Sequence, residues 1–218
     1  NPLNYGFRSV IKNQFNLTES ISLSGQTGVE MQKMNAVTIG YAMGADSTNL
    51  AGFNIINKTN SDQATTNSTY SYFTQWNLQL PMGFSVNAGV GVSNMHLKLD
   101  DRLWGLSNNR PNNTKLKSYE ARYNNLVSPT IAVNKVFSKA LSVYASYSVG
   151  YKTPVSANIL VSTTGQLNTD LKPEKGTQIE IGTKGSLLKD RLFYTVAVFN
   201  TKYENKFTTI AVPNPANT

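Results

Sequence analysis

Apolar and polar side chains alternate with a period of two in segment after segment, the pattern of a strand with two unlike faces. In 84–93 one face carries Phe84, Val86, Ala88, Val90 and Val92, and the other Ser85, Asn87, Gly89, Gly91 and Ser93. Residues 141–151 set Leu141, Val143, Ala145 and Val149 against Ser142, Ser146, Ser148 and Gly150. The stretches 21–32, 70–80 and 177–184 repeat the alternation, and no helical period competes for long. The pattern predicts eight strands, near 5–15, 20–34, 67–80, 84–99, 124–137, 140–152, 174–187 and 191–208. Short connections, at 16–19, 81–83, 138–139 and 188–190, take turns with long ones at 35–66, 100–123 and 153–173.

Alternation fits both a soluble sandwich and a membrane barrel, and strand length separates them. Soluble strands have a mode of about 5–6 residues, whereas several here reach roughly 13, or ~43 Å at ~3.3 Å per residue. Tilted by about 40°, such a strand rises roughly 33 Å, more than the ~25 Å apolar band of an outer-membrane barrel. Short turns at one edge and long loops at the other match the periplasmic and extracellular ends of such barrels. A sandwich explains neither feature. The expected fold is all-β, an antiparallel up-and-down transmembrane barrel wall. Val86, Val90, Leu141, Val143, Ile179 and Ile181 should face lipid, opposite Ser85, Gly89, Ser142, Ser146 and Glu180, with Val143 near the bilayer midplane. Tyr70, Tyr72, Trp76, Phe84, Tyr147 and Tyr151 are the expected aromatic girdles. A lumenal Glu180 would need a partner, and Lys184 on the same polar face is one candidate.

Composition narrows the function classes. No run approaches the ~20 apolar residues of a spanning helix, and the absence of cysteine rules out disulfides and thiolate metal sites. The net charge of +8 raises nucleic acid as a partner, but no two Lys or Arg residues are adjacent and no nucleic-acid motif is present. The single histidine, His96, lacks the companions of a triad or a clustered metal site. Asp100 and Asp101 at a strand-to-loop junction suit a solvated turn, with a calcium ligand as the lesser reading. Gly89 and Gly91 alternate along a strand and make no phosphate-cradling turn. The expectation is therefore a protein that is not an enzyme, with no cofactor and no nucleic-acid partner. The chain begins at Asn1 without a signal-peptide pattern, so a processed or excised piece is expected.

The segment Tyr144-Ala-Ser-Tyr-Ser-Val-Gly-Tyr-Lys-Thr-Pro154 resembles the Y-x-S-Y-S-x-G-[FY]-[RK]-x-P strand of TonB-dependent receptors. Asn168-Thr-Asp-Leu-Lys-Pro-Glu-Lys175 is similar to their N-P-x-L-K-P-E-[KRT] element, with Thr169 and Asp170 in place of the usual approach. Gln178-Ile-Glu-Ile-Gly182 and Arg191 to Asn200 resemble the following strands, and Ser71–Trp76 and Val86–Val90 weaker barrel motifs. The specific likeness covers about 141–204. It implies a 22-stranded outer-membrane barrel around an N-terminal plug, of which 1–218 would be a partial barrel domain of about eight strands, lacking the plug and the closing strands. The implied activity is TonB-energised uptake of a ferric siderophore or similar metal chelate, with outer-membrane lipid, lipopolysaccharide and the TonB complex (through the plug) as partners. A structural or adhesive surface β-protein and a self-contained small barrel are the rival readings.

Binding is expected on the long loops. The 100–123 loop carries five cations against three anions. Arg102, Trp104, Arg110, Tyr119 and Arg122 from it, with Tyr151 and Lys152 at a strand top, are the candidate substrate-binding residues. Arg and aromatic side chains there suit an anionic, partly aromatic ligand.

Overall fold

The computed structural model describes residues 2–44, 55–102, 118–161, 166–168 and 170–208. Its strands are β1 (Leu3–Asn16), β2 (Ser22–Gly44), β3 (Ile55–Leu80), β4 (Phe84–Asp101), β5 (Ser118–Ser138), β6 (Leu141–Lys152), β7 (Leu160–Val161), β8 (Gln166–Leu167), β9 (Glu174–Leu187) and β10 (Leu192–Glu204). Eight of them form one sheet in the order β1-β2-β3-β4-β5-β6-β9-β10, with every neighbour antiparallel. This is the up-and-down wall that the alternation predicts. The two-residue strands β7 and β8 pair with each other beside the one-turn helix α1 (Ser156–Ile159), inside the β6–β9 connection.

Two expected loops are shorter than the sequence suggests. β2 and β3 stay paired about ten residues beyond their predicted ends, to Gly44↔Ile55, through register shifts at Gly40/Tyr41 and Ala42/Met43. Their Asn, Ser and Thr content reads as loop because it lacks apolar alternation, yet an antiparallel ladder supplies its own backbone hydrogen bonds. β5 likewise begins at Ser118, six residues earlier than expected.

The short edge is built from tight turns. Pro81–Gly83 makes a one-turn 3₁₀ link with Met82 and Gly83 at φ of 62° and 78°. A Cβ on Gly83 would lie 2.5 Å from the Val136 carbonyl, so only glycine fits there. The β9–β10 turn places Leu188, Lys189 and Asp190 in succession at φ of 54°, 58° and 66°. None is glycine, and each left-handed residue costs roughly 1–2 kcal/mol. Lys189→Gly should accordingly stabilise the barrel by about 0.5–1 kcal/mol, once glycine's own entropy is deducted. A guanidinium titration in detergent micelles would show it as a higher midpoint with an unchanged slope.

The register divides the sheet into two faces. One row set runs Val133–Ala145–Ile181–Val198 and Ile131–Tyr147–Ile179. Val90, Leu141, Val143, Ile179 and Ile181 are exposed on it, with no second layer of the chain packed over them, while Val86 is half-buried. The opposite face carries Ser85, Asn87, Ser142, Tyr144, Ser146 and Glu180. Lys135, on the aliphatic rows beside the short turns, bends its ammonium to the Met82 carbonyl and lies 4.1 Å from the Phe84 ring centre. A long cation thus keeps its charge at the rim while its stem covers apolar surface.

Height along the strands corrects two expectations. A tilted strand climbs about 2.5 Å per residue. Val143 is the third residue of β6, close to the short-turn edge, so the middle of a ~25 Å band falls instead on the row Val133–Ala145–Ile181. Among the expected girdle residues, Phe84 marks the lower level and Tyr70 and Tyr72 the upper. Trp76 stacks on Phe15 at 6.3 Å and an 18° interplanar angle, covering Gly25, and Tyr147 sits at mid-height.

β1 and β10 end the sheet order and do not pair with each other. The eight strands therefore do not close upon themselves, as expected for part of a larger wall and not for a self-contained small barrel. Both outer strands leave a row of backbone groups for a neighbour.

Candidate functional site

A single β-bulge organises the upper half of the polar face. Ser93 pairs with Leu126 but Met95 with Tyr123, so one residue of β4 stands opposite two of β5. Asn125 takes the extra place at φ 57°, and its N–H donates to the Asn94 side-chain oxygen at 2.9 Å. Because side chains alternate, the added residue exchanges the faces of β5 above it. Below the bulge, odd-numbered Val127, Ile131 and Val133 lie on the aliphatic face. Above it, odd-numbered Tyr119, Ala121 and Tyr123 register with Leu99, Leu97 and Met95 on the polar side.

Among the described residues, that side holds a closely buried group. Leu97 and Leu99 are 0% and 1% exposed, and Met95, Ile159 and Pro154 are also buried. The β6–β9 connection meets this side at Tyr123. The contact is visible where the Tyr123 hydroxyl donates to the Leu171 carbonyl at 3.3 Å. Burial, then the neighbouring Tyr119, push the Tyr123 phenol up to about 12, so it stays a neutral donor throughout the physiological range. Asn168 donates back to the Ile159 carbonyl at 2.7 Å, tying the connection to itself. Tyr123→Ala should destabilise the mouth by about 2–4 kcal/mol, combining lost aromatic burial with one lost hydrogen bond. Tyr123→Phe should cost about 1 kcal/mol. Limited proteolysis within 153–173 reads the difference.

A second polar cluster faces the other way. His96 Nε2 and Arg122 Nη2 both meet Glu120 Oε1, at 2.5 and 3.0 Å, and Lys98 pairs with Asp100 at 3.4 Å. These residues continue the aliphatic rows upward, more than a bilayer's height above the short turns. The Arg122 and His96 hydrogen bonds hold the Glu120 carboxyl below its ordinary value. A depressed folded-state pKa means that its contribution is complete above the unfolded value and disappears as pH falls through the folded one. The group is fully exposed, so any effect should be visible only as a lowered Glu120 titration that moves part of the way back in Arg122→Gln, with the His96 bond still in place, followed by carboxyl NMR. Asp100 and Asp101 point to opposite faces, and Asp101 is buried. Among the described residues no group of three His, Asp or Glu side chains is arranged to hold a metal.

The candidate residues separate accordingly. Arg102 forms a salt bridge with Asp62 at 2.9 Å and a backbone bond to the same residue, fastening the top of β4 to β3. Tyr119 lies on the polar side, and Arg122 on the outer cluster. Lys152 pairs with Glu174 at 3.5 Å, and that carboxylate also accepts the Phe207 N–H. Tyr151 lines a cavity on the polar side with Thr69, Ser93, Met95, Leu126, Ser128 and Thr153. Trp104 and Arg110 lie outside the described residues. The structure thus brings Tyr119 to the polar side but not Arg122, and Tyr151 registers with Lys175 in the rows that continue the aliphatic face. Sequence reading missed Tyr123, whose facing depends on the bulge, and Met95 and Leu97, which the unbroken alternation of β4 places on the polar side; the apolar beat that continues through Leu97 and Leu99 was the available signal.

Lower on the polar face, Glu180 accepts from the Tyr144 hydroxyl at 2.6 Å and from Gln178 at 3.1 Å. Its partners are these two and not Lys184, because Tyr144 lies across Gly182, where a Cβ would stand 2.5 Å from the ring. Near the short-turn edge a hollow of about 550 Å³ is lined by Lys12, Gln14, Ser24, Gln26, Gln75, Asn77 and Asn87 among others, a surface rich in amides.

The fold recurs in known proteins. The catecholate siderophore receptor Fiu of Escherichia coli strain K12 is 28% identical over 90% of this chain and 29% of its own length. The crystal structure of the ferric-catecholate import receptor Fiu from K12 E. coli, in its closed form, superposes with a TM-score of 0.68 at 22% identity, covering 94% of this chain and 32% of that one. The ferric citrate transporter FecA in the unliganded form gives 0.73 at 12% identity over 95% and 28%. The siderophore receptor PiuA from Acinetobacter baumannii gives 0.64 at 15% over 90% and 31%. The chain therefore spans under a third of the length of the relatives it matches. The family model described as TonB dependent receptor-like, beta-barrel matches residues 2–218. An open, one-layer up-and-down sheet with an uncovered aliphatic face, the quoted strand motifs and this match over nearly the whole chain lead to one conclusion: the chain belongs to the TonB-dependent receptor β-barrel family.

Proposed function

We propose that this chain is wall and mouth of an outer-membrane receptor that imports a ferric siderophore or a similar metal chelate, driven through TonB acting on a plug domain. The observation that carries the reading is the division of the sheet. Its aliphatic face is bare over the height of a membrane, while its polar face holds hydrogen-bonded networks and, at the top, the folded β6–β9 connection. A lipid-facing exterior and a wet interior require that asymmetry. The relatives named for catecholate siderophores and ferric citrate support the substrate class.

The full-length receptor, produced in an outer-membrane strain lacking its other iron receptors, should restore uptake of a radiolabelled ferric catecholate under iron limitation. Uptake should stop when TonB is deleted or the proton gradient is collapsed. Restoration that survives both treatments would point to a passive pore, and no uptake of any ferric chelate would favour a structural role at the cell surface.

A further inference from the structure

Two neighbouring strands of the wall part before either of them ends. The β5–β6 ladder stops at Thr130↔Ser148, although β5 continues up to Ser118 and β6 to Lys152. On their other sides both stay paired, β5 with β4 as far as Asp100↔Ser118 and β6 with β9 as far as Lys152↔Glu174. The break is therefore confined to one seam. Pro129, the next residue up β5, has no N–H to donate, and a little higher the bulge at Asn125 bends the same strand. Ser148 stands above the Lys139 turn by about 22 Å of tilted strand, so the seam begins near the top of the ~25 Å apolar band.

A continued ladder would set Pro129 opposite Val149, Ser128 opposite Gly150 and Val127 opposite Tyr151. In its place lies a hollow of about 190 Å³, bordered by Leu126 and Ser128 from β5 and by Tyr151 and Thr153 from the far side. A Cβ added to Gly150 would meet nothing within 4 Å, whereas one at Gly89 or Gly182, inside paired rows, would press on the neighbouring strand at 3.0 or 2.5 Å. Val149 is 8% exposed, against 38–40% for Leu141, Val143 and Tyr147 on the same side of β6. Side-chain packing, and not a backbone ladder, thus closes the wall beside Pro129.

The far side of the seam is tied together internally. Lys152 pairs with Glu174 at 3.5 Å, that carboxylate also accepts the Phe207 N–H, and Asn205 donates to the Pro173 carbonyl at 3.3 Å. These contacts join the top of β6, the end of the β6–β9 connection and the segment after β10. From β5 the Tyr123 hydroxyl reaches across to the Leu171 carbonyl at 3.3 Å, longer than the ~2.7–2.8 Å usual for a hydroxyl donor.

We infer that this seam is a hinge line in the wall. The body on the β6 side swings against the β4–β5 pair about Pro129, with the Tyr123–Leu171 bond as its catch. The swing breaks no β5–β6 ladder, because none runs there, and it widens or narrows a slit into the polar side at the height of the outer membrane surface. The hinge is a property of the wall itself and holds whether or not a ferric chelate is imported.

The chain has no cysteine, so paired cysteines can report the seam in the full-length receptor, with any cysteine outside this chain changed to serine. Ser128→Cys with Gly150→Cys spans the seam, and Thr130→Cys with Ser148→Cys, the last pair of the ladder, is the reference. A disulfide requires Cα atoms within about 7 Å, so the first pair links only when the seam narrows. The thiol oxidant diamide is added to the receptor in micelles without ligand, and linked peptides are timed by mass spectrometry. The heat-dependent gel shift of a folded barrel confirms that each variant has assembled. The seam pair should link more slowly than the reference, and Tyr123→Phe should speed it about fivefold, the effect of one lost hydrogen bond, while leaving the reference unchanged. No link at the seam would mean a fixed gap, and linking as fast as the reference would mean a continuous wall; either result overturns the hinge. A slow seam rate that Tyr123→Phe leaves unchanged would overturn the catch. Should Gly150→Cys not assemble, Val127→Cys with Tyr151→Cys bridges the same seam one row higher, with the same expectations.

Discussion

Ile181→Arg should destabilise the assembled barrel by about 2–4 kcal/mol, the cost of an arginine at mid-membrane on a lipid-facing strand. Ile181 is 58% exposed on the aliphatic face and shares its row with Ala145 and Val198. Val143→Arg, two residues nearer the short turns, should cost less, because the penalty falls to about 0–1 kcal/mol at the interface. Ser146→Arg, on the polar face directly opposite Glu180, should change stability by less than about 1 kcal/mol, since it gains a carboxylate neighbour in a hydrated interior. Reversible unfolding in phospholipid vesicles measures all three. Equal costs at 181 and 146 would mean that both faces meet the same solvent, and the sidedness of the wall would have to be given up.

Deleting Asn125 should be the most disruptive one-residue change in the mouth. Removing the bulge restores unbroken alternation through β5, which turns Tyr119 and Tyr123 toward the outside and Glu120 and Arg122 toward the polar side. The Tyr123–Leu171 bond is then lost and two charged side chains are placed against Leu97 and Leu99, at a cost of roughly 3–5 kcal/mol. Asn125→Gly, which keeps the extra residue and suits φ 57°, should stay within about 1 kcal/mol of the wild type. The pair separates loss of the bulge from loss of the asparagine. The readouts are protease cleavage within 153–173 and chelate affinity in the full-length receptor; a deletion as well anchored as the glycine variant would show that the bulge does not set the facing.

The membrane-spanning part of the fold was legible because each row there obeys a two-residue beat set by lipid on one side and water on the other. Ser142 against Val143 and Glu180 against Ile181 report that contrast directly. Above the membrane both faces meet water, so the beat carries less information, and the extension of β2 and β3 through Asn, Ser and Thr went unread. The bulge was hidden for another reason. The segment Tyr123-Asn-Asn-Leu126 carries no glycine to advertise a left-handed residue, and asparagine is common in loops as well. Arg122 was placed among ligand contacts, and Tyr123 passed over, because 100–123 reads as one loop rich in Arg and aromatic residues, whereas β5 already begins at Ser118. The Glu180 partner was misassigned because sequence spacing favours Lys184, whereas the cross-strand neighbour Tyr144 leans over a glycine to reach it.

Each long strand of the sheet pairs only with the long strand before and after it in the chain. Assembly can therefore advance by adding one hairpin at a time, each step closing a loop already short along the polypeptide and carrying a modest entropic cost. The longest connection is the one between Lys152 and Glu174, from β6 to β9, so this is where growth of the wall should pause, and where an assembly factor that holds an open edge would have most to do.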